Sequence, residues 1–203
     1  MSGQTHTAAG GALSLERLVF FSDAVFAIAI TLLVLEIRVP HLPHGSGTEP
    51  FVEAMITLIP NFVAFVLSFL VIGRFWITHH ALMNHVEAYD PRLLWPNMFY
   101  LMVIAFMPFS TALLGNNIGQ FGPALFYNLT LLTIALLGRL IVHRIEALDP
   151  TSDTLLGEAA GANSVIMGAA FSVMLTFVYP GISQLGMITI PLWIRLFRSG
   201  KIR

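Results

Sequence analysis

The chain has 203 residues, of which 56% are hydrophobic and only 10% are charged, and its formal net charge is −1. Because a soluble domain carries about 25% charged residues, this composition indicates an integral membrane protein, and it gives no basic field for binding nucleic acid. The sequence contains no cysteine, which excludes disulfides, zinc–thiolate sites and thiol catalysis.

Long stretches without charge divide the chain into six predicted transmembrane helices, since each crossing needs about 20 apolar residues. The predicted spans are 15–38, 51–77, 92–114, 123–144, 158–179 and 183–198. The second helix is expected to continue to about residue 88, because no turn signal precedes Asp90-Pro91. Pro60 either kinks this helix or lies in its first turn. The sequence therefore predicts an all-α integral membrane fold, with one domain over residues 1–203.

Lysine and arginine are distributed unevenly between the predicted loops. If the N-terminus is cytoplasmic, the outer segments hold only Arg38. The inner segments then hold eight basic residues, which are Arg17, Arg92, Arg139, Arg144, Arg195, Arg198, Lys201 and Arg203. Basic residues concentrate on the cytoplasmic side of membrane proteins, so both termini are predicted to be cytoplasmic. Asp23 and the end of the second helix then lie on the same, inner side.

The first span contains an aspartate within its first two turns. Asp23 follows Arg17 by six residues, about 9 Å along a helix. An ionisable group inside a membrane helix is costly unless it is paired or faces water, so Asp23 is a candidate functional residue. A purely structural acid at a helix N-terminus is the alternative. We expect a polar cluster that joins the first two helices, with Arg74, His79 or His80 as the partner of Asp23.

The histidines of the second helix do not have the spacing of a metal site. His79, His80 and His85 are separated by one, five and six positions, whereas metal-binding helices usually use i, i+4 pairs. A hydrogen bond from one of them to Asp23 or Ser22 is expected instead, and it could make the protein sensitive to pH. No nucleophile stands near a base in any known catalytic motif, so the sequence predicts neither a metal cofactor nor an enzyme.

Aliphatic residues form a stripe along the first span. Ile28, Leu32 and Leu35 stand at i, i+4 and i+7, and Thr31 lies near the same stripe. From spacing alone, this pattern is typical of lipid contact or of packing within the bundle, and it does not identify a pore.

Two motifs together resemble the transmembrane-protein-175 family of potassium channels, in particular its prokaryotic members. They are Arg17-x-x-x-Phe21-Ser22-Asp23, continued by an apolar run to Glu36, and Phe75-Trp76 followed by His79-His80. The resemblance extends to the six-span layout of the whole chain. It implies a cation channel without a P-loop, in which four copies of the first helix line a central pore.

The resemblance also implies roles for particular residues. The chain carries the motif once, so a homotetramer is implied, since members with two repeats form dimers. Aliphatic constriction rings fall on Ile28, Leu32 and Leu35, and a layer of hydroxyls falls on Thr31. The implied network beside the pore helix consists of Arg17, Phe21, Ser22, Asp23, Trp76, His79 and His80. The permeant ion would be potassium, with other monovalent cations also able to pass. The location would be the plasma membrane of a prokaryote.

Two other functions stay open at this point. A proton channel or proton-coupled transporter would use Asp23 and the histidines of the second helix as a relay. The chain lacks the internal repeat that is usual in transporters. A small membrane scaffold without transport activity would need no stripe accessible to water.

Overall fold

The computed structural model describes residues 3–38, 40–42, 45, 47–86, 90–148 and 153–199, with side chains outside 3–14 and 153–154. The described residues form seven α-helices and two 3-10 segments. The α-helices are α1 (Gly3–Leu32), α2 (Thr48–Thr57), α3 (Ile59–Met83), α4 (Pro91–Gly115), α5 (Phe121–Glu146), α6 (Asp153–Thr176) and α7 (Ile190–Arg198). The 3-10 segments are Leu33–Glu36 and Pro180–Thr189. The prediction of an all-α fold is confirmed.

Five helical segments are long and apolar enough to cross a membrane within the part of the chain that the structure describes. They are Leu15–Glu36, Ile59–Met83, Pro91–Gly115, Phe121–Glu146 and Leu155–Thr176. The first of these changes geometry near its end, because α1 stops at Leu32 and the chain winds more tightly to Glu36. The predicted span 15–38 is therefore not a uniform α-helix.

The segment predicted as the sixth span, 183–198, is not a single α-helix. It begins in the 3-10 segment Pro180–Thr189 and ends in α7. Pro191 lies in the first turn of α7 and has no N–H to donate to a preceding turn. A continuous α-helix through this position would lose a hydrogen bond, so the α-helix starts here instead.

The predicted second span, 51–77, is divided at Leu58. Its first residues belong to the short helix α2, and Pro60 lies in the first turn of α3. Because proline disrupts the turn before it, a break at this point is favoured over a kink. The expected extension to residue 88 is also wrong in length, since α3 ends at Met83; residues 87–89 lie outside the described residues.

Helix α4 holds the centre of the bundle and packs against α1, α3 and α5, whereas α6 packs against α5, α7 and the second 3-10 segment. Lipid tails are as apolar as leucine, so close packing and hydrogen bonds hold such helices together. Thr111 of α4 donates to Ser68 of α3 at 2.8 Å, and Ser68 lies 3.0 Å from the hydroxyl of Tyr127 on α5. These three buried side chains join three helices.

A second buried polar cluster fixes the C-terminal part of the bundle. Asn128 of α5 donates through Nδ2 to Thr176 on α6 and to Ser183 on the 3-10 segment, each at 2.8 Å. The same face of α6 meets the 3-10 segment at Gly186, where a Cβ atom would lie 2.8 Å from the Cα of Ser172. Only a residue without a side chain fits at this distance.

Gly186→Ala should therefore lower the stability of the folded protein by about 1–3 kcal/mol, as overpacking usually does. The measurement is the thermal unfolding midpoint of the protein in detergent. Gly181→Ala on the same segment is the control, because its Cβ would stand 3.6 Å from the nearest atom, an ordinary contact. Equal midpoints for the two variants would contradict the close approach.

Candidate functional site

The helix α1 has one face packed on the bundle and one face uncovered. The buried side chains of α1 are Leu18, Ser22, Phe26 and Ala29, and the following 3-10 segment adds Leu33; all of them contact the interior formed with α3 and α4. The side chains of Ile28 and Leu35 are 58% and 72% exposed, and that of Leu32 is 40% exposed. The three residues of the aliphatic stripe thus lie outside the packed interior of the single chain.

The uncovered face has a regular spacing. On this face the exposed residues Phe21, Ala24, Ile28 and Thr31 of α1 stand at intervals of three, four and three, and Leu35 follows Thr31 by four in the 3-10 segment. An interval that averages 3.5 residues is the spacing with which helices face one another across a common axis. The face is apolar except for Thr31, and it suits contact with copies of itself as well as with lipid.

Thr31 offers oxygen lone pairs on this face. Its hydroxyl lies 3.0 Å from the carbonyl oxygen of Ala27 and 2.9 Å from that of Ile28. The single hydroxyl hydrogen is used in donation to the backbone of its own helix. The exposed oxygen therefore presents only acceptor lone pairs outward, which is the arrangement that attracts a cation.

Asp23 belongs to a cluster at the edge of the bundle. The indole N–H of Trp76 on α3 donates to Asp23 Oδ1 at 2.8 Å, and Nδ1 of His80 lies 4.0 Å from the same oxygen. The rings of Trp76 and His80 are 5.8 Å apart. The side chain of Asp23 is 33% exposed and that of His80 is 47% exposed, so both remain open to water or to a neighbouring chain.

Ser22 belongs to a different, buried cluster. His79 Nε2 and Asn97 Oδ1 are 2.7 Å apart, and Asn97 Nδ2 donates to Ser22 Oγ at 3.0 Å. Ser22 in turn donates to the carbonyl oxygen of Leu18 at 2.8 Å. Because the amide N–H of Asn97 is used toward Ser22, its carbonyl accepts and His79 Nε2 carries the proton. Asn97 and Ser22 are 0% and 1% exposed, so the cluster is shielded from water.

Aromatic side chains enclose this buried cluster. The ring of Tyr100 stacks on His79 at 5.5 Å, and Phe26 lies 5.6 Å from the same histidine. This hydrogen-bonded cluster, enclosed by apolar side chains, holds α1, α3 and α4 in one relative orientation, because an unpaired polar group there would be costly.

The structure separates the predicted network into two parts. Trp76 and His80 meet Asp23, whereas His79 meets Ser22 only through Asn97. Arg17 and Phe21 are exposed, and no hydrogen bond or ion pair joins Arg17 to these clusters within the described side chains. Another residue offered as a partner of Asp23, Arg74, donates instead to Thr78 of its own helix at 2.9 Å.

Asn97 is the member of this site that the sequence analysis missed. It is a lone amide among apolar residues near the start of α4. Such residues often hydrogen-bond between membrane helices, and that is the signal which could have found it. Among the described residues, no group of three histidine, aspartate or glutamate side chains lies close enough to hold a metal ion.

Asn97→Ala should destabilise the protein much more than Trp76→Phe. Loss of the buried amide leaves His79 Nε2 without a partner and removes the donor to Ser22, whose hydroxyl still bonds Leu18; an unpaired buried group costs about 1–3 kcal/mol. Water can replace the indole at the exposed edge of Asp23, so Trp76→Phe should cost less than about 1 kcal/mol. Unfolding midpoints in detergent measure both, with Met102→Ala on the exposed face of α4 as the control. A larger loss in Trp76→Phe would contradict the assignment of the buried cluster as the main tie.

Comparison with known proteins places the chain in a family. Residues 17–108 match the family described as "Endosomal/lysosomal potassium channel TMEM175". This stretch begins inside α1, includes α2 and α3 and extends through most of α4, so it contains both polar clusters.

Three relatives illustrate the range of the likeness. A potassium channel of Chamaesiphon minutus is 35% identical over 153 residues, which cover 73% of this chain and 72% of that protein. A potassium channel of Streptomyces collinus is 41% identical over 104 residues, which cover 51% of this chain and 49% of that protein, so the match spans about half the length of that relative. The endosomal/lysosomal proton channel TMEM175 of Bos taurus is 36% identical over 80 residues, or 37% of this chain and 17% of that protein.

The fold agrees with that of a solved structure. The crystal structure of a lysosomal potassium-selective channel TMEM175 homolog from Chamaesiphon minutus matches with a TM-score of 0.78 and 29% identity, over 90% of this chain and 97% of that one. With its apolar helices of membrane-spanning length, this chain is an integral membrane protein. By its identity to the Chamaesiphon relative over most of both chains, it belongs to the TMEM175 family.

Proposed function

We propose that this protein is a potassium-permeable cation channel without a P-loop and that the uncovered face of α1 lines its ion pathway. The observation that carries the proposal is the exposed aliphatic stripe of Ile28, Leu32 and Leu35 on a helix whose other face is fixed to the bundle. The potassium-channel names of the bacterial relatives and of the matching crystal structure support it. No catalytic role, metal or cofactor is part of the proposal; the permeant ion is the only ligand it needs.

The ion pathway requires more than one chain. In a single chain the stripe lies on the outside of the bundle, where it can only face lipid or another copy. Four copies around an axis would enclose a pathway between their α1 helices, and such a cyclic homotetramer is an ordinary closed assembly. The alternating three- and four-residue spacing of the uncovered face supports this arrangement, because it keeps the same face toward the axis over several turns.

Aliphatic rings would control permeation by their width. A ring of four Ile28 or Leu32 side chains offers no oxygen to a cation, so a narrow ring excludes water and blocks ions, whereas a wider ring lets hydrated ions pass. Thr31 lies between these two positions and would supply four hydroxyl oxygens as a polar layer. Selectivity set by ring width and hydroxyls should be modest, with potassium preferred over sodium and other monovalent cations permeant.

The polar clusters would position the pathway rather than line it. The buried cluster of His79, Asn97 and Ser22 sets the rotation of α1, and Trp76 holds Asp23 near the inner end of the same helix. Arg17 is the remaining motif residue, and its exposure on α1 leaves it free to meet a neighbouring copy in the assembled channel. A change in either cluster would therefore alter permeation by moving Ile28 relative to the axis.

We place the channel in the plasma membrane of a prokaryote with both termini cytoplasmic, on the strength of the lysine and arginine distribution. In this arrangement residues 1–203 form one six-crossing channel domain. The sixth crossing is supplied by the 3-10 segment Pro180–Thr189 and α7 together. Ten residues at a rise of about 2.0 Å and nine at about 1.5 Å reach about 33 Å, enough for a hydrocarbon core of about 30 Å.

Replacement of Ile28 by Asn should wet the constriction and raise the leak of sodium and caesium by about tenfold, because the ring then offers hydrogen bonds to water. The measurement is cation flux from liposomes that contain the purified protein. Leu136→Asn is the matched control, since Leu136 on α5 is 51% exposed, similar to Ile28, but does not belong to the stripe. Unchanged permeation in Ile28→Asn, or equal changes in both variants, would count against the pore assignment.

A proton pathway is the second candidate. The proton-channel names of the vertebrate relatives and the 4.0 Å separation of His80 and Asp23 favour it. With the same gradient applied to potassium and to protons, the channel proposal predicts potassium flux that persists when pH is clamped on both sides. Proton flux that is abolished in Asp23→Asn and His80→Gln, without potassium flux in the parent protein, would favour the proton pathway through Asp23 and His80 instead.

A further inference from the structure

An apolar cavity of about 270 Å³ lies away from the candidate ion pathway. It is bounded by α3, α5 and α6, by Tyr100 of α4, and by the second 3-10 segment and the start of α7; none of the described α1 side chains lines it. Nearly all of its wall is aliphatic or aromatic. An apolar cavity in a membrane protein is a site for an apolar ligand, because water gains little by entering it.

The cavity is elongated along the helices. The residues of α3 that line it run from Leu67 to Leu82, and those of α5 run from Tyr127 to Val142. A separation of fifteen residues corresponds to about 22 Å along an α-helix. Arg74 lies between these ends, seven residues from Leu67, so about 10 Å of the wall lies on the bilayer-centre side of its guanidinium. This part of the cavity accommodates the segment of a lipid tail that follows the headgroup.

The cavity also has a side that faces the membrane. Leu70 on α3 and Leu185 and Ile188 on the 3-10 segment line it, yet their side chains are 63%, 44% and 69% exposed. Exposed leucine and isoleucine on both sides of the gap form a rim from which a chain can enter laterally from the bilayer.

A cation stands beside the apolar wall. Arg74 lines the cavity and is exposed, and its guanidinium is oriented by a hydrogen bond to Thr78 at 2.9 Å. Trp76 and Trp95, which are 38% and 66% exposed, lie near the same ends of α3 and α4. Exposed tryptophans mark the membrane interface, and the charge distribution identifies this interface as the inner one. A guanidinium at that depth is suited to bind a phosphate group.

We propose that this cavity binds one acyl chain of an anionic phospholipid from the inner leaflet, with the lipid phosphate on Arg74. The elongated apolar wall accommodates the tail, the rim of Leu70 and Ile188 admits it, and Arg74 selects the charged headgroup. No described α1 side chain lines the cavity, although His79 and Tyr100 of the buried cluster do, and lipid binding can be measured whichever ion permeates.

The test begins with the unmodified full-length protein in detergent, to which phosphatidylglycerol or phosphatidylcholine with identical tails is added. Native mass spectrometry then counts the lipids that remain bound. One phosphatidylglycerol per chain should be retained, about fivefold more tightly than phosphatidylcholine, because a juxtamembrane arginine strengthens binding to an anionic lipid by about that factor. Equal retention of the two lipids, or retention of neither, would overturn the proposal.

Two variants separate the tail site from the headgroup site. Gly138→Leu extends a side chain into the cavity; its Cβ would lie 3.5 Å from the ring of Tyr100, an ordinary van der Waals contact, and its unfolding midpoint in detergent checks that the variant folds. It should abolish retention of both lipids, whereas Gly122→Leu on the same helix, where a Cβ meets no atom within 4 Å, should not change it. Arg74→Gln should remove only the preference for phosphatidylglycerol, and Arg144→Gln should keep that preference.

The variants also provide the contrary outcomes. Full retention by Gly138→Leu would show that the lipid binds elsewhere on the surface. An unchanged preference in Arg74→Gln, or an equal loss in Arg144→Gln, would show that general surface charge selects the lipid. Retention of free fatty acid in place of the phospholipid would also contradict the proposed occupant.

Discussion

The rotation of α1 about its own axis is the constraint on which the rest of this structure depends. Apolar side chains gain little by leaving lipid for protein, so hydrogen bonds and close packing decide which side of a membrane helix meets its neighbours. The hydrogen bonds that join His79, Asn97 and Ser22 fix the packed face of α1, together with the packing of Phe26 and Leu33. Once that face is fixed, Ile28 can only stand on the opposite side.

Adjacent residues of α1 therefore serve different purposes. Ser22 points into the bundle and Asp23 to its edge, since consecutive helical residues are about 100° apart. The same rotation separates His79 from His80 on α3, so that one histidine is enclosed by aromatic rings and the other is half exposed. A compact motif in sequence thus supports two clusters: a buried one that fixes α1 and an open one that water or a second copy can reach.

Some parts of this structure could be predicted from the sequence and others could not, because helices, helix breaks and single polar contacts leave different patterns in a sequence. Charge-free stretches predicted α4 and α5 within two residues at each end, because a membrane helix must be both long and apolar. They did not predict the division of the second span at Leu58 or the 3-10 segment Pro180–Thr189, since the effect of a proline depends on the surrounding hydrogen bonds. The motifs identified Asp23 and Trp76, which are in contact, but they could not separate the two histidines. Asn97 is 75 positions from Ser22, and a lone amide has no periodic pattern that would reveal its partner.

Cysteine modification would test the central claim most directly, namely that the uncovered face of α1 lines the ion pathway. The chain has no native cysteine, so a single cysteine can be placed at position 28, 31 or 35 and, as the buried comparison, at position 33. The measurement is potassium flux from liposomes before and after addition of a water-soluble, thiol-specific cation. We predict that modification at Ile28→Cys, Thr31→Cys and Leu35→Cys reduces the flux, whereas Leu33→Cys is unaffected. The opposite pattern, or reaction at none of the four positions while potassium still flows, would contradict the account.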